Sequence, residues 1–217
     1  MNPNHTNKVK LPLLAAATLF LSACSSGPSE NDAESAVQRT LLGACPHLEL
    51  ADFTKTNGIP ITDRDYRVEV KYTVRLESTS DMQKYVEQVL SELANVDSEL
   101  EIKRANAKQY QDDRQAFIDA GGDWSVFERK NADRFYQWQR DEVAIRQYEG
   151  IKSDGPNQVR WNLQSRLKKD CPGVGKEILR AFFSSDTPLE TYEDDVVREF
   201  TGTIHMVETD NGWQESR

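Results

Sequence analysis

Residues 66–77 constrain the fold more than any other part of the chain. Tyr66, Val68, Val70, Tyr72, Val74 and Leu76 alternate without a break with Arg67, Glu69, Lys71, Thr73, Arg75 and Glu77. A period of two with one apolar and one charged side describes a strand with one buried and one wet face. Such strands belong to antiparallel sheets, because parallel strands are usually covered on both faces. The C-terminus supplies a partner. Phe200, Ile204 and Met206 fall on one side of a second run, with Gly202 between them, and Thr201, Thr203, His205 and Val207 fall on the other. Asp210-Asn211-Gly212 then reads as a hairpin turn and Trp213 as the start of a short last strand. Upstream, Leu48 to Phe53 reads as a strand leading to a turn at Asn57-Gly58.

The segment between these strands has helical spacing. Met82, Val86, Val89, Leu93, Val96 and Leu100 step by fours and threes, which predicts an amphipathic helix covering a sheet face. Residues 101–120 continue it as a polar, helix-prone stretch until Gly121-Gly122 breaks it. Further helix is expected through Phe127 and Tyr148, a second break at Gly155-Pro156, and two more helices at Arg160 to Lys169 and Lys176 to Phe183. Ala33 to Ala44 reads as an N-terminal helix. The expected class is therefore α+β, a curved antiparallel sheet with a packed N-terminal helix and a long helical insertion. The sheet unit takes residues 33–80 plus 190–217, and the insertion takes 81–189. The helix-then-strands opening, with Thr201-Gly202-Thr203-Ile204 and Asp210-Asn211-Gly212-Trp213 at the close, resembles cystatin-like or nuclear-transport-factor-like α+β domains over about 75 residues. That resemblance implies a helix crossing a curved sheet and leaves function open.

The N-terminus speaks to location. Lys8 and Lys10 precede an apolar run from Leu11 to Phe20, followed by Leu21-Ser22-Ala23-Cys24. A basic start, a short apolar core and small residues before a cut are the parts of a secretory signal. The apolar run falls short of the roughly 20 residues that span a bilayer. Leu21-Ser22-Ala23-Cys24 resembles the lipobox of bacterial lipoproteins. The resemblance implies removal of residues 1–23, lipidation of Cys24 and anchorage to a membrane by acyl chains, with residues 24–32 as a polar tether. Ser25 rather than Asp after the cysteine implies the periplasmic face of an outer membrane, with the inner membrane and cell surface as alternatives. An oxidising compartment and two remaining cysteines, Cys45 and Cys171, then predict a disulfide.

Removing the signal takes away Lys8 and Lys10 and no acid, so the formal net charge goes from −9 to −11. So acidic a chain repels nucleic-acid phosphates, which argues against nucleic-acid binding. With His5 in the signal, only His47 and His205 remain, so a His-rich metal site lacks its ligands and a Ser-His-Asp triad has few candidates. No metal or cofactor is expected. The acid pairs Asp63/Asp65 and Asp112/Asp113 and the run Glu193-Asp194-Asp195 carry no calcium-loop spacing, and Gly173-Val174-Gly175 lacks the rest of a phosphate-loop fingerprint. The most distinctive cluster is Trp124, Phe127, Phe135, Tyr136, Trp138 and Trp161 among Arg129, Arg134 and Arg140. Aromatic and arginine side chains anchor protein interfaces, and the same rings could form the insertion's own small core. The sequence thus points to a non-enzymatic, lipid-anchored envelope protein that works through a protein partner. A small-ligand module with Tyr66, Tyr72 and Phe200 lining a pocket, and a cell-wall hydrolase using acid pairs, are the alternatives.

Overall fold

The computed structural model describes residues 27–216. The signal-like segment and Cys24 lie outside these residues. Ser29 caps the first helix, α1 (Glu30–Val37), and does so reciprocally with Asp32. The Ser29 Oγ accepts from the Asp32 N–H, and the Asp32 carboxylate accepts from the Ser29 N–H at 2.8 Å. The helix thus begins at Glu30, ahead of the expected Ala33. The last part of the expected tether is packed, with Pro28 buried and its carbonyl accepting from Lys55 Nζ. A π-helical stretch, Gln38–Leu42, comes next and ends at Gly43.

Four strands, β1 (Leu48–Thr62), β2 (Asp65–Leu76), β3 (Val196–Thr209) and β4 (Gly212–Glu215), form an antiparallel meander in chain order. The α+β class is as expected, and β2 buries its alternate apolar residues Val68, Val70, Tyr72, Val74 and Leu76. Strand β1 is much longer than Leu48–Phe53 and runs straight through Asn57-Gly58. The register against β2 slips between Leu50 and Asp52, between Lys55 and Asn57, and between Pro60 and Thr62. Each slip inserts an extra residue, bends the strand and reverses the parity of the residues after it. The residues set against the apolar face of β2 are therefore Leu48, Leu50, Phe53, Lys55, Gly58 and Pro60, which no period of two could reveal. Asn57 is held inside the strand by Glu69, whose carboxylate accepts from its side-chain amide at 3.3 Å.

The covered sheet face carries α1, which lies against β1 and β4. It also carries a short helix at Lys176–Phe182, the fifth in chain order (α5), which lies against β3. Helix α2 (Ser80–Asp119) does not lie across the sheet as its stripe suggested. It pairs along α4 (Ala132–Asp170) and against a short 3-10 turn at Leu189–Glu193. At 40 and 39 residues, both helices are about 60 Å long. Val86, Val159, Leu163 and Leu167 join the core of the sheet at the root of this hairpin, and the remainder extends beyond it. Helix α4 also passes without a break through Gly155-Pro156. A proline in a helix interior costs about 3 kcal/mol, which the pairing with α2 offsets. Lys152 is ion-paired to Asp97, Gly155 lies against Leu93, and Asn162 donates to the Tyr85 hydroxyl at 2.8 Å.

Cys45 and Cys171 form the expected disulfide, with an S–S distance of 2.02 Å. It joins the entry to β1 to the end of α4. Beside it, Gly43 has φ +60° and lies so close to Gly173 that a Cβ there would sit 3.3 Å from the Gly173 backbone. The Gly175 N–H donates to the Leu41 carbonyl at 2.9 Å in the same crossing.

This packing sets two expectations for stability. The disulfide joins cysteines 126 residues apart, so a Cys45→Ala/Cys171→Ala variant should lose about 4–5 kcal/mol of stability on the chain-entropy argument, measured by denaturant unfolding against the oxidised chain. Burial, reinforced by the Glu177 carboxylate, pushes the Tyr72 phenol up to about 12, against an ordinary 10.0. Below the ordinary value both folded and unfolded chains keep the proton. Between the two values only the unfolded chain releases it, so stability should fall as pH rises through that window. Tyr72→Phe should leave stability at about pH 7 unchanged and reduce the loss seen at about pH 11.

Candidate interaction surface on the helical hairpin

The far end of the hairpin is built around Tyr110. It lies in the polar stretch 101–120, yet it is only 3% exposed. Its ring stacks on Trp138 at 5.5 Å between centroids and meets Phe127 at 5.7 Å and Phe135 at 6.4 Å. Phe117 packs on Phe127 at 5.6 Å. Arg134 covers the ring of Tyr110 at 5.9 Å while its guanidinium binds Asp113, holding that carboxyl below the usual carboxylate range. A short helix, α3 (Trp124–Lys130), closes the tip. Asp123 caps it, accepting from the Ser125 N–H at 2.7 Å. Gly121 at φ +85° turns the chain out of α2. Gly122 is the residue against which Phe117 lies, so that any Cβ there would enter the ring.

The six aromatics singled out in the sequence therefore divide. Phe127, Phe135 and Trp138 form a distal core with Tyr110 and Phe117. Trp124, Tyr136 and Trp161 are 53%, 57% and 61% exposed. Trp124 lies under Arg114, whose guanidinium is 5.7 Å from its ring. Trp161 stands about 37 Å up α4 from Tyr136 and does not join the cluster. Tyr136 begins a different feature. With Arg140, Val143 and Gln147 it steps along the helix by four, three and four. Together with Gln139 and Ala144 these residues line a shallow groove on the outer side of α4. Val143 and, one turn beyond Gln147, Ile151 are 47% and 45% exposed. Both stand outside the sequence-level cluster because their spacing is diluted by Gln and Arg.

Three of the remaining acidic candidates are engaged locally. Asp112 accepts from Lys108 at 2.6 Å, Asp113 from Arg134, and Asp195 from the Ser78 N–H at 2.9 Å. Asp63 is exposed in the β1–β2 turn. His205 is exposed on β3, and His47 Nδ1 lies 3.7 Å from Glu77. Tyr72 stacks between Phe53 and Phe200 at 6.4 and 5.3 Å, and Tyr66 packs edge-on against Trp213 at 5.2 Å. A cleft of about 450 Å³ opens at the hairpin root, between His47, Glu77, Asp81, Met82, Arg166 and Asp170. Among the described residues no group of three or more His, Cys, Asp or Glu side chains could hold a metal ion, and no helix is long and apolar enough to cross a membrane.

No family model, no curated protein and no solved structure matches this chain.

The distal core should open independently of the root. Gly122→Ala would displace Phe117 from Phe127, and Phe127→Ala would remove about 3–5 kcal/mol of packing. Amide exchange should then quicken around Tyr110 and Trp138 while Leu163 and Ile178 keep their protection.

Proposed function

We propose that this chain is a lipid-anchored envelope protein that acts without catalysis, docking a protein partner along its helical hairpin. The observation that carries the reading is the outer face of α4, where Tyr136, Val143 and Ile151 stay exposed on a helix whose other side is already paired. Scattered exposed apolar residues are ordinary, but a line of them at helical spacing, edged by Arg140 and Gln139, has the composition of an interface with an aromatic anchor and a polar rim. The occupant that fits is an amphipathic helix of another envelope protein, laid along α4 with its own apolar stripe.

Anchorage rests on the sequence. The run Leu21-Ser22-Ala23-Cys24 after a short apolar stretch supports acylation at Cys24, at the outer membrane's periplasmic face. The Cys45–Cys171 bond fits an oxidising compartment. An acid-rich surface does not favour anionic lipid or nucleic acid, so the lipid would supply attachment and the hairpin recognition.

The test is crosslinking and affinity capture of the full lipidated chain in cells, with identification by mass spectrometry. One dominant envelope partner is expected, reduced at least about tenfold by Tyr136→Ser/Val143→Ser, as for the loss of an interface anchor. Both residues are exposed, so the variant should fold as the parent does. Equal capture by parent and variant overturns the reading.

A further inference from the structure

The chain is fastened to the sheet as soon as its described part begins. Gly27 lies against Tyr66 so closely that a Cβ on it would sit 2.7 Å from the ring. Pro28 is buried, and the Glu30 carboxylate accepts from the Lys55 N–H at 2.9 Å. Tyr66 is the second residue of β2, so Gly27 sits at the end of the sheet that carries the β1–β2 turn. Cys24 precedes Gly27 by three residues, and three residues reach at most about 11 Å whatever path they take. Both helices of the helical hairpin are rooted at the other end of the sheet. Helix α2 follows Leu76, which pairs with Leu48, and α4 ends beside Cys171, which is bonded to Cys45. The 12 residues of β2 separate the two ends by roughly 35–40 Å.

From this we infer that the β1–β2 turn is a lipid-contacting surface, seated on zwitterionic phospholipid so that the helical hairpin is rooted away from the bilayer. The inference rests on acylation of Cys24, as proposed above. An acyl anchor within about 11 Å of Gly27 holds this end of the sheet at the headgroups. The turn suits that contact. Pro60 is exposed, and Ile61 is 52% exposed. Ile61 is the extra residue of the last β1 bulge, between the pairs Pro60–Tyr66 and Thr62–Asp65, and a bulge re-aims the side chain it carries. The turn is also braced against β3. The Glu208 N–H donates to the Arg64 carbonyl at 2.9 Å, and Arg64 Nε lies 3.8 Å from the Glu208 carboxylate. An apolar side chain held out on a braced turn gains by entering the boundary between headgroups and acyl chains. Charge selects the lipid. Arg64 is already paired with Glu208, and Asp63 and Asp65 flank it, so anionic headgroups would find no free basic partner in this turn.

The test uses the full acylated chain in vesicles of phosphatidylcholine and phosphatidylethanolamine that carry a nitroxide at headgroup level. A fluorophore is attached to one introduced thiol at a time, in Ile61→Cys, Lys71→Cys or Lys130→Cys. All three positions are exposed, and with Cys24 acylated and Cys45 bonded to Cys171 only the introduced thiol reacts. Quenching is expected at position 61 and not at position 71, on the open sheet face, or at position 130, at the tip of the helical hairpin. Inserting a Gly/Ser linker of about 20 residues after Ser26 should abolish the quenching at position 61, because the short reach sets the orientation. Quenching at position 71 as strong as at position 61 means that the protein lies flat and overturns the inference. So does quenching at position 61 that the linker leaves unchanged. Intact mass and flotation with the vesicles report the anchor separately. An acylated, vesicle-bound chain without quenching at position 61 overturns this inference alone, whereas a chain with unmodified Cys24 that does not float overturns the anchor and this inference together.

Discussion

The crossing at Cys45 and Cys171 is the constraint on which the rest of the molecule depends. The sheet is split in sequence, with β1 and β2 before the helical hairpin and β3 and β4 after it. Something must hold the returning chain against the departing one. The disulfide does so, and Gly43 and Gly173 allow the two backbones to touch beside it. From there α5 is delivered to β3, and Leu163 and Leu167 are delivered to the core beneath β2. Without that closure the pairing of β2 with β3 would carry the whole entropy of a loop spanning the hairpin.

The hairpin is held together differently from the sheet. Its helices meet through a thin line of apolar contacts at Leu93, Leu100 and Ala107 and through cross-helix pairs such as Arg104–Glu149 at 2.6 Å. Exposed ion pairs contribute little each, typically below about 1 kcal/mol. Two ends fasten the structure instead, the shared core at the root and the aromatic core around Tyr110 at the tip. An arm built this way keeps an outer face of α4 that stays partly apolar, and the functional reading arises there.

Legibility in the sequence varies with the physics of each element. Strand β2 is plain because one face is buried and one wet over its whole length. The turn at Asp210-Asn211-Gly212 is plain because Gly212 takes a positive φ. Strand β1 is hidden by its bulges, and its Asn57-Gly58 pair mimics a turn. Pro156 suggests a helix end because the sequence does not display the neighbouring helix that holds it. The stripe from Met82 to Leu100 marks a helix, but the surface it packs on is chiefly α4 rather than the sheet. Gly173 and Gly175 carry no motif, and only the crossing with Gly43 and Leu41 explains them. In the candidate site, the aromatic cluster is visible as composition. Its division into a buried core and separate exposed rings is not, and neither is Tyr110, a single aromatic residue in a polar stretch.

If the outer face of α4 is where this protein meets its partner, with the sheet serving as a base, then contact should map to the helix and not to the sheet. Site-specific photocrosslinking in cells can decide this. A photoreactive residue would be placed in turn at Tyr136, at Val143 and at Lys71, which lies on the exposed face of the sheet in an ion pair with Glu199. One common crosslinked partner is expected from positions 136 and 143 and none from position 71. Crosslinks from position 71 without any from the two α4 positions would show that the sheet, not the hairpin, is the docking surface.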